Sequence, residues 1–149
     1  MSDELLERMQ AMLPGTLQGL LGIELTRVEP GAVDGRMELR QEFMAPNDFL
    51  HAGAVVTLAD SCCGSGCLAS LPEGVAGFTT AEMKTNFLRS AKAGDVLLCE
   101  ARVAHGGRTT QVWDATVTRE SDGTQIALFR CTQYLLAGED PRTQGQRRA

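Results

Sequence analysis

The chain has 149 residues, 43% of them apolar and 22% charged, with a formal net charge of −5. That length suits one domain with a single core, and the composition is that of an ordinary globular protein. The negative balance argues against nucleic acid or an anionic membrane as the main partner, although local basic clusters can still hold a phosphate.

The start, Met1-Ser2-Asp3-Glu4, lacks the basic-then-apolar order of a secretion signal. Residues 3–13 read as a short amphipathic helix with Leu5, Leu6, Met9, Met12 and Leu13 on one face. Ser2 or Asp3 can cap it, Pro14-Gly15 closes it, and a second short turn runs through Leu17, Leu20 and Leu21. From Gly22 the period changes to two. Ile23–Val28 alternates, Glu29-Pro30-Gly31 turns, and Val33, Gly35, Met37 and Leu39 alternate with charged neighbours, which predicts a hairpin.

After the loop 41–50 comes a segment, 52–71, of small or apolar-leaning residues whose one charge is Asp60. It is too long for a strand, and its Ala, Leu and Cys content predicts a helix despite three glycines. It is also long enough to span a membrane. Its Gly, Ser and Ala content, Asp60 and the absence of an aromatic belt argue instead for a core helix held by tertiary packing. The remainder is strand-like: Val75–Leu88, Val96–Ala104, Thr109–Arg119 and Gln125–Leu136, with turn chemistry at Ala93-Gly94-Asp95, His105–Arg108 and Ser121-Asp122-Gly123. Strict alternation in the first of these puts Thr80, Glu82, Lys84 and Asn86 on one face. The expected organisation is helix, hairpin, long helix, then four strands in a meander, an α+β antiparallel sheet with one face covered by a helix. This single domain spans 1–136, and the polar tail 137–149 is expected to be disordered.

Five cysteines, none in a Cys-x-x-Cys pair, read as buried, reduced thiols of a cytoplasmic protein. With two histidines and no ligand spacing, no metal site is expected. Asp60 is different, because a lone carboxylate in an uncharged helix is costly to bury unless something uses it. The N-terminus of the same helix, at His51-Ala52-Gly53, offers unpaired N–H groups and a positive dipole end suited to a carbonyl about to become an oxyanion. Eight residues at 1.5 Å each separate Ala52 from Asp60, about 12 Å. A carbonyl held at the helix end therefore cannot also touch Asp60 of the same helix. Either the two features are unrelated, or two subunits each supply half of two composite sites in a symmetric dimer.

The stretch Leu50-His51-Ala52-Gly53-Ala54-Val55-Val56-Thr57-Leu58-Ala59-Asp60 resembles the His-Gly-Gly…Leu-Ala-Asp motif of hotdog-fold acyl-CoA thioesterases of the phenylacetate-degradation type. Thr80–Arg89 with Ala91–Asp95 is similar to the family's following strand and turn, and Gly107-Arg108-Thr109 to its next hairpin, so the resemblance covers roughly 20–136. It implies a curved antiparallel sheet of about six strands wrapped around one central helix, and dimers or dimers of dimers with sites between subunits. By the resemblance, Asp60 is the nucleophile or general base, and the Ala52 N–H, with Gly53 beside it, polarises the thioester carbonyl. His51 is the motif histidine and Thr80 a hydroxyl near the site. Arg89, His105 and Arg108 fall in segments that contact coenzyme A, which is part of the substrate; no separate cofactor is implied. Two positions depart from the pattern. Ala52 replaces a glycine, and Ala45 stands where an Asn or Gln is usual, with Asn47 as its nearby substitute.

The activity so implied is hydrolysis of an acyl-CoA to the free acid and coenzyme A. The alternative is a non-catalytic acyl-CoA-binding or regulatory hotdog domain, and a hydratase lacks its His-plus-acid motif here.

Overall fold

Small residues decide where the long helix lies. The computed structural model describes residues 2–138, and in it the helix α3 (Ala52–Ala69) rests on an antiparallel sheet. A Cβ on Gly66 would overlap the Trp113 ring, and one on Gly35 would come within 2.7 Å of the Cys62 Sγ. The three helix glycines each cost up to about 1 kcal/mol relative to alanine. Burial of side chains such as Val55 and Leu58, which are 2% and 0% exposed, contributes about 1.5–3 kcal/mol apiece and outweighs that cost. By length and composition α3 could cross a membrane; its apolar faces are spent instead on the sheet.

Before α3 come α1 (Ser2–Gln10), α2 (Leu17–Leu20), the hairpin β1 (Glu24–Glu29) and β2 (Ala32–Glu38), and a 3₁₀ turn at Gln41–Phe43. After it come β3 (Val75–Phe87), β4 (Val96–Gly106), β5 (Thr110–Arg119) and β6 (Gln125–Ala137). The helix expected over 3–13 ends at Gln10 because its last turn tightens: Met12 and Leu13 donate to Met9 and Gln10 carbonyls. The Gln10 side chain then ties this end to β1 through the Leu25 N–H and the Ile23 carbonyl. The tail expected to be disordered falls, beyond Gly138, outside the described residues; Ala137 belongs to β6.

The sheet order is β1-β2-β4-β5-β6-β3, with every pairing antiparallel. This corrects the expected four-strand meander. β4, β5 and β6 form one, but β3 lies beyond β6 at the far edge and β4 pairs with the hairpin strand β2. The reason is the link 88–95, which exceeds the two to five residues of a hairpin loop. It crosses beneath the N-terminal end of α3, pinned by Leu88 N–H to Ile126 O, Leu50 N–H to Ser90 Oγ and Leu39 N–H to Asp95 O.

β3 differs from the expectation in a second way. Its register against β6 shifts between Thr80 and Glu82, a bulge at Ala81. Directly opposed residues share a face. Thr80 opposes buried Gln133, Met83 opposes buried Cys131 and Phe87 opposes buried Ala127, so all three face the helix. Thr80 is thereby separated from Glu82, Lys84 and Asn86, which face outward. All five cysteines are buried and unbridged.

Candidate active site

The N-terminus of α3 is held from three directions. His51 N–H donates to Phe43 O, Leu50 N–H to Ser90 Oγ, and Met44 and Leu50 form an isolated bridge. His51 is the N-cap, extended at φ −67° and ψ 129°, and its Nδ1 accepts the Gly53 N–H at 2.8 Å. An accepting Nδ1 carries no proton, so in the neutral ring the proton is on Nε2. The Ala54 N–H bonds the His51 carbonyl at 3.0 Å. The Ala52 N–H has no protein acceptor among the described residues. Gly53 is therefore spoken for, and Ala52 presents a donor at the exposed, positive end of the helix.

Asn47 lies in the exposed loop before this end. Its carboxamide oxygen accepts the Phe49 N–H at 3.3 Å in an Asx turn, next to Asp48 at φ 64°. The carboxamide oxygen thus shapes the loop.

Asp60 stands in the middle of α3, half-buried, with Oδ1 fully enclosed and without a hydrogen-bond partner. Burial raises its carboxyl above the ordinary aspartate value of 3.8, and the neighbouring Thr80 hydroxyl opposes the rise by favouring the charged form. The structure brings Asp60 and Thr80 together because the bulge at Ala81 turns Thr80 inward. The two lie close without forming a hydrogen bond of full geometry. An orphaned buried carboxylate oxygen costs roughly 1–3 kcal/mol or more, so the fold keeps it at the expense of stability.

One protomer does not bring Asp60 to Ala52. The helix between them is unbroken, which holds them about 12 Å apart along its axis. Nor does it gather the three residues expected to contact coenzyme A. Arg89 follows the Phe87 end of β3, with its guanidinium on the Leu88 carbonyl. His105 and Arg108 belong to the β4–β5 hairpin at the opposite end of the sheet, the end where Thr110 pairs with Tyr134.

A cavity of about 240 Å³ lies beside Asp60, bounded by Met9, Met12 and Leu13 from the N-terminal segment, by Leu68 of α3 and by Phe78 of β3. Sequence reasoning missed these wall residues. The N-terminal leucines and methionines had the spacing of a core-facing stripe, and nothing in that spacing separates a core from a cavity wall.

The family model for the thioesterase superfamily matches residues 47–126. The 1,4-dihydroxy-2-naphthoyl-CoA hydrolase of Listeria monocytogenes is 32% identical over 116 residues, 78% of this chain and 92% of the relative. The acyl-coenzyme A thioesterase PaaI of Escherichia coli is 29% identical over 79% of this chain and 81% of its own length. A solved structure of the E. coli PaaI protein superposes with a TM-score of 0.81 at 25% identity, covering 92% of this chain and 96% of that one. A structure from Streptococcus mutans bound to acetyl-CoA aligns with a TM-score of 0.71 at 29% identity, over 79% and 91% of the two chains.

Proposed function

The chain belongs to the thioesterase superfamily, and we propose that its reaction is the hydrolysis of an acyl-CoA thioester to the free acid and coenzyme A, with Asp60 and the Ala52 N–H as the reacting groups. The relatives named as CoA hydrolase and thioesterase support the reaction. The observation that carries the residue assignment is Asp60 itself: a carboxylate oxygen enclosed without a donor, beside the Thr80 hydroxyl, in an otherwise uncharged helix.

In this reading the thioester oxygen accepts the Ala52 N–H, whose donor becomes more effective as negative charge develops on the oxygen. The partner subunit's Asp60 then acts in one of two ways. It takes a proton from a water that attacks the carbonyl carbon, or it attacks that carbon itself to give an anhydride that water cleaves. Either way the C–S bond breaks, the thiolate leaves and is protonated, and the acid is released. Desolvation makes the carboxylate a stronger base than a solvated one, and the Thr80 hydroxyl opposes that rise by favouring the charged form.

A second copy is required because the two groups sit about 12 Å apart on one helix. β3 is an edge strand whose helix-facing Met83 and Phe87 are 42% and 49% exposed. Antiparallel pairing of two such edges about a two-fold axis lays one protomer's Arg89 end alongside its partner's hairpin end. That is the arrangement in which Arg89 and the hairpin residues His105 and Arg108 of the other copy flank one coenzyme A, the arginines suiting its phosphates. Five buried, unbridged thiols support a reducing compartment such as the cytoplasm.

The test is thiol release from a panel of acyl-CoAs, with binding followed in parallel. Asp60→Asn is expected to lower kcat by about 100-fold or more while the fold persists by circular dichroism. Undiminished turnover in that variant removes Asp60 from the chemistry. Binding without any turnover in the wild type favours the non-catalytic acyl-CoA-binding domain instead.

A further inference from the structure

Among the described residues, two side-chain oxygens are enclosed without a hydrogen-bond partner, Asp60 Oδ1 and Gln133 Oε1. The second has no part in the site so far. Gln133 belongs to a polar row on the helix-facing side of the sheet, directly opposite Gln111 of β5 and Thr80 of β3. Gln111 is engaged at both atoms: its oxygen accepts the Trp113 Nε1–H at 2.8 Å and its nitrogen donates to the Ser70 carbonyl at 3.0 Å. Gln133 has only the Cys131 Sγ, 3.5 Å from its Nε2, and thiol sulfur is a weak acceptor. Burying a carboxamide in this way costs stability that an apolar side chain of the same bulk would not. The two orphaned oxygens have one hydroxyl as common neighbour. Thr80 lies beside Asp60, and across the antiparallel pair its Cβ stands about 5 Å from that of Gln133.

The supply of donors depends on the charge of Asp60. While Asp60 is ionised, the Thr80 hydroxyl is one donor for two acceptors, and one acceptor is left over. Once Asp60 is protonated there are two donors in series, and the carboxyl O–H can meet Thr80 Oγ1 while the Thr80 O–H meets Gln133 Oε1. Resting on the thioesterase reading above, we infer that Gln133 is a positioning residue that completes a hydrogen-bonded chain from Asp60 through Thr80 when Asp60 takes the proton of the attacking water. In that step a water O–H bond breaks, its proton passes to the Asp60 carboxylate, and its oxygen bonds the carbonyl carbon. Asp60 then donates to Thr80 Oγ1, and the Thr80 hydroxyl turns from Asp60 to Gln133; no proton leaves Thr80. When Asp60 gives its proton to the departing thiolate, the hydroxyl turns back. The chain serves the general-base form of the reaction, since nucleophilic attack brings no proton to Asp60.

No charged side chain of the same protomer competes with it among the described residues. The N-terminal segment brings methionine and leucine to Asp60, and β3 brings Phe78 and Thr80 while Glu82 and Lys84 face outward. The titratable groups nearby are thiols, Cys131 of β6 and Cys63 of α3. Cys131 beside it and burial hold Cys63 well above the ordinary thiol value, so it carries no charge. The assembled site adds the second copy's His51, which every variant below shares.

The test follows the Asp60 proton in the full chain by two routes. One is the acid limb of kcat/KM for thiol release from acyl-CoAs. The other needs no turnover: it is the pH at which the Tm gain from Asp60→Asn disappears. Both are measured with Gln133 intact and with Gln133→Met and Gln133→Leu, which keep the bulk and remove the acceptor. Losing the acceptor weakens the protonated form of Asp60, so both pH values are expected to fall by about 0.5–1. The carboxylate becomes a poorer base, and kcat at neutral pH should drop about three- to tenfold with KM little changed. Tm at neutral pH should match or exceed that of the wild type, the opposite of what loss of a structural side chain does. With Thr80→Val in place the middle of the chain is missing, and Gln133→Met should move neither pH value further. Values that stay put, or that rise because the carboxamide nitrogen donates to Thr80, overturn the chain. An equal fall in the Thr80→Val background overturns it too. No release from any acyl-CoA, with a Tm midpoint that still falls, sinks hydrolysis alone and supports the chain of hydrogen bonds.

Discussion

At the β1 edge the helix-facing side chains are covered by the chain itself: Leu25 and Val28 are 6% and 1% exposed beneath α1. At the β3 edge, Met83 and Phe87 face the same way and remain 42% and 49% exposed. The solvent side of the β1 edge is also finished, by ion pairs of Arg36 with Glu24 at 3.0 Å and of Arg27 with Glu29. Edge strands of soluble proteins are normally blunted in this manner. The contrast teaches that stability is complete on one side of α3 and withheld on the other. Asp60 with its orphaned oxygen and the inward-turned Thr80 lie toward the side where it is withheld.

A change of charge on each edge tests this difference, and the larger effect belongs to β3. Met83→Lys puts an ammonium on the face where the proposed second copy docks, so the chain is expected to become monomeric by light scattering and to lose about 100-fold or more of its activity. Arg27→Ala on the opposite edge removes only exposed ion pairs, worth about 0–1 kcal/mol, and should leave assembly unchanged and activity within about twofold. A dimeric, active Met83→Lys chain would show that the exposed β3 face is not where copies meet.

The smaller effect concerns stability. Burial raises the Asp60 carboxyl, so between the ordinary aspartate value and the raised one the folded chain binds more protons than the unfolded chain. The ionised carboxylate therefore destabilises the fold, by an amount that grows as pH rises through this window and is fully present above it. Asp60→Asn is accordingly expected to raise Tm at neutral pH, and the gain should vanish in acid as the wild-type carboxyl takes up its proton. A variant less stable than the wild type at neutral pH would mean that Asp60 holds the fold together. With the carboxylate as the working form, as proposed, the same titration is expected to give kcat/KM an acid limb lying above 3.8.

Much of this was legible in the residues. The single charge in a long run of small side chains marked both the core helix and its candidate functional residue, and the helix rise alone separated Ala52 from Asp60. Three things were not legible, each for a physical reason. Alternation identifies strands but not their neighbours, so the place of β3 beyond β6 depended on the length of the link 88–95. A period of two cannot register an extra residue, so the bulge at Ala81 hid the inward turn of Thr80. The division of labour at the helix end, with His51 occupying the Gly53 N–H and leaving that of Ala52, needed the direction of an imidazole ring.

The composite site is most directly tested by mixing two inactive chains. Ala52 is the first residue of α3, where proline is well tolerated, and His51 before it already has the extended conformation that a pre-proline residue prefers. Ala52→Pro thus deletes the Ala52 N–H and little else. Ala52→Pro and Asp60→Asn chains, each inactive alone, are denatured together, refolded and assayed. In the mixed dimer one site combines the intact Asp60 of the first chain with the intact Ala52 N–H of the second. Random pairing should restore about a quarter of wild-type activity. If both groups served a site within one chain, the mixture would be as inactive as its components, and that result would contradict the account.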